Sequence, residues 1–242
     1  MTTNRWIGPY QARPAAERRL FCFPYAGGNA SAFWGWSAAF SRDVEVCPVQ
    51  LPGRATRPFE TAFQSLHELV PVLADQLDGL FDRPFAFYGH SMGALLAFEL
   101  AHELRARGRT QPMALFPAAH LAPAIPHRFG IAERTDLELI AYVKRMSDQP
   151  ELLDHPELLR LLLPTLRSDL SVCDSYAYQR RPKLDCAVTV FGGIADSIAR
   201  VDLEAWQAET TGPFAVEMLP GRHFFLNTAR DALLQSLSRR LG

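Results

Sequence analysis

Ser91 stands between glycines in a pattern that suits nucleophilic catalysis. In "FAFYGHSMGALLAFEL", residues 85–100, it occupies the centre of a Gly-x-Ser-x-Gly motif where an apolar run ends and an Ala- and Leu-rich run begins. This context predicts a sharp strand-to-helix turn, because glycines flank the serine where side chains would collide. Such a turn projects the hydroxyl above the sheet, and the N-terminus of the following helix points at any negative charge that forms there.

A serine hydroxyl is a weak nucleophile unless a base removes its proton. Among the seven histidines, His223 in "LPGRHFFLN" is the one that follows the last predicted strand and leads into the last predicted helix. The alternative for His223 is a solvated or hydrogen-bonded loop residue without a catalytic role. The other histidines lie within helices, in a long insertion or before it, or beside the serine: His67, His102, His127, His155, His120 and His90.

The base in turn needs an acid that fixes its tautomer. Asp196 in "VFGGIADSIAR" lies just past the strand that precedes the final strand, in a glycine-bearing loop. The chain order Ser91, Asp196, His223 is the nucleophile, acid and base order of the α/β-hydrolases. Asp202 could instead be a helix cap, and Asp185 lies at the opposite end of its strand, which makes it a weak competitor.

Acyl transfer also needs donors for the negative oxygen of the tetrahedral intermediate. We expect one donor to be the backbone amide of Met92 and the other to be the amide of Ala26 in "FPYAGGN", with Tyr25 as the less favoured choice. Each such donor is typically worth about 3 to 4 kcal/mol of barrier. A plain tight turn is the alternative for this glycine-bearing loop.

Strand-like and helix-like segments alternate along the chain, which predicts βα units in a mostly parallel sheet flanked by helices. The predicted strands are "RLFCFPYAGG", "VEVCPVQLPGR", "PFAFYGH", "PMALFPAA", "CAVTVFGG" and "FAVEMLPG". The predicted helices outside the insertion are "SAFWGWSAAF", "SLHELVPVLADQLDGL", "MGALLAFELAHELRARG", "VDLEAWQAE" and "ARDALLQSLSRRL". We therefore expect residues 1–242 to form a single α/β domain.

The alternation breaks over residues 120–180, where leucine-rich helical segments replace strands. The βα pattern resumes afterwards, which favours a helical lid inserted over the site. Extra helices that only support the scaffold are the alternative.

Composition excludes several classes of function. The 242 residues are 48% hydrophobic and carry a formal net charge of -1, so nucleic acid is not an expected partner. The four cysteines show no Cys-x-x-Cys spacing, and we interpret them as reduced and structural, with no metal site. Neither a signal peptide nor a membrane-length apolar run is visible, so we expect a cytoplasmic protein without a membrane partner.

Five blocks together carry a resemblance that covers nearly the whole chain: "FCFPYAGGNASAFWGW", "VQLPGRATR", "YGHSMGALLAFELA", "FGGIAD" and "LPGRHFFL". The chain resembles the type II thioesterases, the free-standing editing hydrolases of polyketide and nonribosomal peptide synthesis. The resemblance implies an α/β-hydrolase fold with a helical lid and no cofactor of its own. It implies an acyl thioester substrate on the phosphopantetheine arm of an acyl- or peptidyl-carrier protein, which would be a transient partner of a monomeric enzyme. It also implies that Ser91, Asp196 and His223 are catalytic and that the amides of Ala26 and Met92 bind the oxyanion.

Two departures from the family pattern concern the substrate rather than the triad. Arg222 stands where the family usually has a glycine before the histidine, and it could cap the pocket rim or contact the phosphate of a carrier arm. The run "PAAHLAP" replaces a frequent Ser-Gly-Arg segment.

Other functions remain open at the level of sequence, because the triad alone does not distinguish thioesters from oxygen esters. The chain could be a small-molecule carboxylesterase or lipase, or a detached terminal release domain. It could also be a non-catalytic ligand-binding member of the fold. The short segment before the first strand and the start at Met1 favour a stand-alone thioesterase.

Overall fold

A computed structural model describes residues 4–147, 151 and 154–242, and in this part of the chain six strands form one sheet. The sheet order is β2-β1-β3-β4-β5-β6, and every neighbouring pair is parallel. The strands are β1 (Arg18–Phe23), β2 (Val44–Pro48), β3 (Phe85–His90), β4 (Ala114–Ala118), β5 (Ala187–Gly193) and β6 (Phe214–Leu219). The predicted α/β class is confirmed, and all six predicted strands are present.

The strand sequences read as nearly continuous apolar runs because both faces of the sheet are covered. Alternate residues of β1 enter two separate cores, with Phe21 in one and Leu20 in the other. Helices α1 (Leu66–Leu77), α2 (Met92–Ala106) and α5 (Arg200–Glu204) line the first core. Helix α7 (Arg230–Leu241) covers the opposite face.

The segment "SAFWGWSAAF", predicted as one helix, is instead two short 3-10 turns. They span Ala30–Phe33 and Trp36–Ala39, and Gly35 between them adopts a left-handed φ of 75°. The glycine breaks the helix because this conformation reverses the local chain direction. The rings of Phe33 and Trp36 both pack edge-on to Tyr88 of β3, so the broken segment covers the sheet as a pair of aromatic anchors.

Between β4 and β5 the described residues include two long helices, α3 (Asp136–Met146) and α4 (Pro156–Asp174). Thr135 begins α3 with a capping box, in which its side chain accepts from the Glu138 amide and the Glu138 carboxylate accepts from the Thr135 amide. A small apolar cluster holds the two helices together, formed by Ile131, Leu139, Leu166 and Leu170. The insertion therefore carries a core of its own above the carboxyl end of the sheet.

A short helix, α6 (Phe225–Thr228), lies between His223 and α7 and was not predicted from the sequence. Phe225 is fully buried in the core beneath α7 and anchors this extra turn. No helix in the described part of the chain combines the length and the apolar character needed to cross a bilayer.

Candidate active site

Ser91 lies between β3 and α2 in a backbone conformation that few non-glycine residues adopt, with φ 54° and ψ -117°. Its amide donates to the carbonyl of Ala118 at 2.7 Å, which ties the turn to the end of β4. The flanking glycines are sterically required. A Cβ on Gly89 would lie 2.0 Å from the carbonyl oxygen of Gly93, and a Cβ on Gly93 would lie 2.1 Å from the carbonyl oxygen of Phe23. The predicted elbow is present, and its strain is fixed by close backbone packing.

Asp196 and His223 meet in a buried hydrogen bond, with 3.0 Å between Oδ2 and Nδ1. The other carboxylate oxygen, Oδ1, accepts from the amide of Ser197 at 2.6 Å. Burial alone would raise the pKa of Asp196, but the hydrogen bond and charge of His223, together with the backbone amides of Ser197 and Ile198, outweigh burial, so the pKa lies below its ordinary value. The carboxylate is therefore ionised and holds the Nδ1 proton, which leaves Nε2 as the basic nitrogen.

The loops that carry the acid and the base are pressed against each other. The Ala195 amide donates to the carbonyl of Gly221 at 2.9 Å. Gly193 makes this approach feasible, because a Cβ there would lie 2.3 Å from the carbonyl oxygen of Arg222. The second glycine of "FGGIAD" thus has a structural reason, since it lets the two loops bring Asp196 and His223 into contact.

His90, the residue between Gly89 and Ser91, holds the backbone of the predicted base. Its Nε2 lies 2.8 Å from the carbonyl oxygen of His223, and its Nδ1 lies 3.1 Å from the hydroxyl of Tyr88. Complete burial, with the neighbouring charge of His223, lowers the pKa of His90 to about 3, so the ring is neutral. A carbonyl can only accept, so Nε2 carries the proton and Nδ1 accepts from Tyr88.

One narrow pocket joins Ser91 and His223 with both predicted oxyanion residues, Ala26 and Met92. Its cavity volume is about 30 Å³. The rest of the lining comes from the first loop, the insertion and the residues around β4 and β6: Tyr25, His120, Phe129, Tyr142, Val143, Met146, Leu166, Leu170, Cys173 and Phe224.

The two predicted oxyanion donors occupy suitable backbone positions. Met92 is the first residue of α2, where amides have no partner within the helix. In the other loop the Gly27 amide donates to the carboxylate of Asp169 at 2.7 Å and the Gly28 amide donates to the carbonyl of Tyr25 at 2.8 Å. The next two amides are thus engaged, whereas Ala26 contributes to the pocket wall.

A serine, a histidine with a basic Nε2 and backbone amides around one pocket can together perform acyl transfer through a covalent acyl-serine.

The competing acid, Asp185, lies before β5, at the end of the sheet opposite the site, where it pairs with Arg105 at 3.1 Å. Asp202 lies in the first turn of α5. Within the described ranges no cluster of three or more His, Cys, Asp or Glu residues could hold a metal ion.

A family model described as a thioesterase domain matches residues 18–241. The chain belongs to the thioesterase family. It is 40% identical to the gramicidin S biosynthesis protein GrsT of Aneurinibacillus migulanus over 98% of this chain and 94% of that protein. The structure matches RedJ, a thioesterase from the prodiginine pathway of Streptomyces coelicolor, with a TM-score of 0.88 and 40% identity over 96% of this chain and 91% of that chain.

The type II thioesterase BorB from the borrelidin biosynthetic cluster gives the same TM-score, 0.88, at 35% identity over 98% of both chains. The resemblance drawn from the five sequence blocks is confirmed. The prediction that the chain is an enzyme that hydrolyses thioesters is confirmed as well. The solved neighbours have the α/β-hydrolase fold, in agreement with the predicted fold class.

His120 and Cys173 are among the pocket residues of the thioesterase that were not singled out from the sequence as part of the site. His120 follows β4, and its Nδ1 lies 2.7 Å from the carbonyl oxygen of Leu121. Burial lowers the pKa of His120 to about 4, so it is neutral and its Nδ1 carries the proton. Cys173 lines the pocket from α4, and burial raises the pKa of its thiol well above the ordinary value. The position of His120 just past a strand end was a usable signal, whereas Cys173 had none.

Arg222 of the thioesterase connects the loop of the predicted base to the insertion. Its Nη1 donates to the carbonyl of Arg145 in α3, with 3.3 Å between the two atoms. The side chain itself is solvent-exposed. A role as a rim cap agrees with this contact, and a contact between Arg222 and a phosphate stays a prediction.

Proposed function

We propose that this thioesterase hydrolyses acyl thioesters carried on the phosphopantetheine arm of acyl- or peptidyl-carrier proteins. The observation that carries the proposal is the buried Asp196–His223 hydrogen bond beside a pocket that His223 shares with Ser91. The assembly-line substrate is supported by the relatives, among them a protein of gramicidin S biosynthesis and thioesterases from prodiginine and borrelidin biosynthesis. The chemistry needs no cofactor bound to the enzyme, since the phosphopantetheine belongs to the substrate.

Acylation begins when Nε2 of His223 takes the proton of the Ser91 hydroxyl as the oxygen attacks the thioester carbonyl. The carbonyl π electrons move to oxygen, and the amides of Ala26 and Met92 donate to the resulting oxyanion. When the carbonyl re-forms, the C–S bond breaks, and the thiolate takes the proton from His223 as it leaves. The acyl group is then an ester of Ser91.

Deacylation repeats the same steps with water. His223 removes a proton from a water molecule, the hydroxide attacks the acyl-serine carbonyl, and the same two amides stabilise the second oxyanion. The C–O bond to Ser91 breaks, the serine oxygen recovers the proton from His223, and the free acid departs. Asp196 stays ionised throughout and stabilises the imidazolium that forms twice per turnover.

The insertion over residues 120–180 acts as a lid within the single domain 1–242. A cavity volume of about 30 Å³ is far below the about 300 to 1,000 Å³ of ordinary ligand pockets, and much of the wall comes from α3 and α4. Substrate entry therefore requires these helices to shift away from the core. A transient complex with the carrier protein and a monomeric enzyme agree with this scheme, and a cytoplasmic location stays a prediction.

The decisive experiment compares the wild type with Ser91→Ala on a carrier protein that bears an acylated phosphopantetheine. Mass spectrometry of the carrier should detect loss of the acyl group with the wild type and none above background with Ser91→Ala. Ser41→Ala is the matched control, because Ser41 is exposed and lies before β2, at the end of the sheet opposite the site. This variant should retain full activity. Undiminished release by Ser91→Ala would overturn the proposed mechanism.

The competing function is hydrolysis of free oxygen esters, which the same triad can perform. The wild type should release acyl groups from the carrier with a kcat/KM at least about tenfold higher than from a p-nitrophenyl ester of the same acid, because binding of the arm and carrier contributes to the transition state. A preference for the free ester would favour a carboxylesterase.

A further inference from the structure

A buried carboxylate from the insertion reaches the loop of the predicted oxyanion donor. Asp169 lies on α4 with only 2% of its surface exposed. Its Oδ2 accepts from the amide of Gly27 at 2.7 Å. Charged side chains are seldom buried without specific partners, and one partner of Asp169 is this amide in the loop after β1.

Arg54, from the loop after β2, completes the arrangement. Its guanidinium donates to both oxygens of Asp169, with 2.6 Å between Nη2 and Oδ1 and a second hydrogen bond from Nη1 to Oδ2. Nη1 also donates to the carbonyl of Gly28 at 3.2 Å. Asp169 thus holds the N–H of Gly27, and Arg54 holds the C=O of Gly28.

We propose that Asp169 and Arg54 are positioning residues that hold the Ala26 amide in place for the oxyanion. The proposal rests on the proposed function, in which Ala26 is a donor. The Gly27 N–H and the Ala26 C=O belong to one rigid peptide plane, so a hydrogen bond to Asp169 fixes that plane. The Ala26 N–H is then separated from a fixed group by only the two dihedral angles of Ala26.

The glycine at position 27 makes this hold necessary. Its φ of 77° lies in the left-handed region, which is freely accessible only to glycine, so the local backbone has many conformations to lose. A larger residue would not replace this clamp, formed by Asp169 and Arg54, because L side chains rarely adopt this φ and a substitution at position 27 would be strained. The loop therefore depends on contacts from outside itself to keep one shape.

A purely structural role would not need charges at this place. A buried ion pair is often no more stabilising than apolar side chains of similar volume, so packing α4 on the core does not by itself account for Asp169 and Arg54. The clamp also joins α4 to the loop, so a displacement of α4 carries the Gly27 peptide with it. The oxyanion donor and one wall of the acyl pocket thereby respond to the same helix.

The test is Asp169→Asn, measured on the acylated carrier protein. Asparagine keeps the shape, but its amide nitrogen cannot accept, so the variant loses either the contact from Nη2 of Arg54 or both the Gly27 contact and the contact from Nη1 of Arg54. We expect kcat to fall about 10- to 100-fold, since loss of an oxyanion donor costs about 100- to 1,000-fold and here the donor is only displaced. KM should change by less than about threefold, because the residues that line the pocket are untouched.

Thr165→Val is the matched control on the same helix. It removes another link from α4 to the core, the hydrogen bond from Thr165 to the carbonyl of Gly53 at 3.2 Å, and leaves the Gly27 clamp intact. Its kcat should stay within about twofold of the wild type. A fall in kcat equal to that of Asp169→Asn would mean that loosening α4 is sufficient, and the positioning role would be wrong.

The double variant Asp169→Leu with Arg54→Met addresses the case in which the single variant does not fold. It removes both charges with little loss of volume, so we expect this variant to fold. We expect the same loss of kcat with an unchanged far-ultraviolet circular dichroism spectrum, and wild-type kcat in this variant would overturn the proposal. Ser91→Ala, run in parallel, separates the two ideas: full activity there rejects the proposed function, whereas inactivity there with active clamp variants rejects only the positioning role.

Discussion

His90 and His223 are joined side chain to backbone, since the Nε2–H of His90 donates to the carbonyl of His223 at 2.8 Å. The residue next to the predicted nucleophile therefore holds the main chain of the predicted base. The ring of Phe224 stacks beside His90 and lies edge-on to His223, which restricts the same segment from the side. The orientation of the base thus depends on the elbow as well as on Asp196.

Tyr88→Phe should weaken this hold without altering a group that touches substrate. The change leaves the buried Nδ1 of His90 without its donor, and we expect a loss of about 1 to 3 kcal/mol in the free energy of unfolding, measured by urea denaturation. Because the base is less well held, kcat should fall by about 3- to 10-fold at unchanged KM. Tyr10→Phe, at a solvent-exposed ring, is the control and should match the wild type in both measurements.

Asp196→Asn should reduce kcat by about 10⁴ at neutral pH while the protein stays folded. The amide nitrogen of asparagine would face Nδ1 of His223 as a donor, which moves the imidazole proton to Nε2 and blocks its role as base. Asp185→Asn, before β5 at the end of the sheet opposite the site, should leave kcat unchanged. A loss of less than tenfold in Asp196→Asn would argue against Asp196 as the acid.

Gly93→Ala should abolish activity and destabilise the fold by at least about 3 kcal/mol, because the new Cβ would meet the backbone of Phe23. Gly79→Ala provides the comparison, since nothing lies within 4 Å of the position that a Cβ would take there. That change should stabilise the protein by about 0.4 to 1 kcal/mol through the unfolded state. Thermal melts of both variants measure the contrast, and similar melting temperatures would contradict the packing argument.

Tyr142→Ala should shift acyl preference toward longer chains. Tyr142 lines the pocket from α3, and its ring packs edge-on to Phe129, so truncation opens space beside Ser91. We expect the ratio of kcat/KM for a long over a short acyl group to rise by about 10-fold, as one or two methylenes gain room. Leu137→Ala on the exposed side of the same helix should leave the ratio unchanged.

The protein should lose stability steadily as the pH falls from about 6.5 to about 4. Burial, with the charges of Arg181 and Arg105, lowers the pKa of His102 to about 4 from its ordinary 6.5, so the unfolded chain binds a proton in this window that the folded state does not. Each such histidine reduces the free energy of unfolding by up to about 1.4 kcal/mol per pH unit. His102→Gln should make the slope shallower by about one proton in urea titrations at several pH values, and an unchanged slope would show that His102 does not titrate this way.

The sheet and the order of the candidate site residues could be predicted because their signals are local. Apolar runs between glycine-bearing turns mark each strand, and parallel strands bring Ser91, Asp196 and His223 to the same edge. The break in "SAFWGWSAAF" was missed because a helical composition concealed the left-handed Gly35. The extra turn α6 was missed because four residues carry no periodicity.

The clamp that Asp169 and Arg54 form on the loop after β1 could not be predicted from local sequence patterns. Asp169 sits in a leucine-rich helix, and its partners Arg54 and Gly27 are 115 and 142 positions away. Nothing in the helical pattern distinguishes this aspartate from a solvated one. Its role depends on which loops meet α4 after folding, and that is a property of the tertiary structure alone.

The thiol of Cys173 has a consequence for the fate of the acyl group. An acyl thioester in the pocket would pass beside this sulfur as well as beside Ser91, and a thiolate there could capture the acyl group by transthioesterification. Because burial raises the pKa of Cys173, the sulfur remains protonated and is a poor acceptor. The acyl group is thereby directed to Ser91, and alkylating reagents should modify the native enzyme slowly at Cys173.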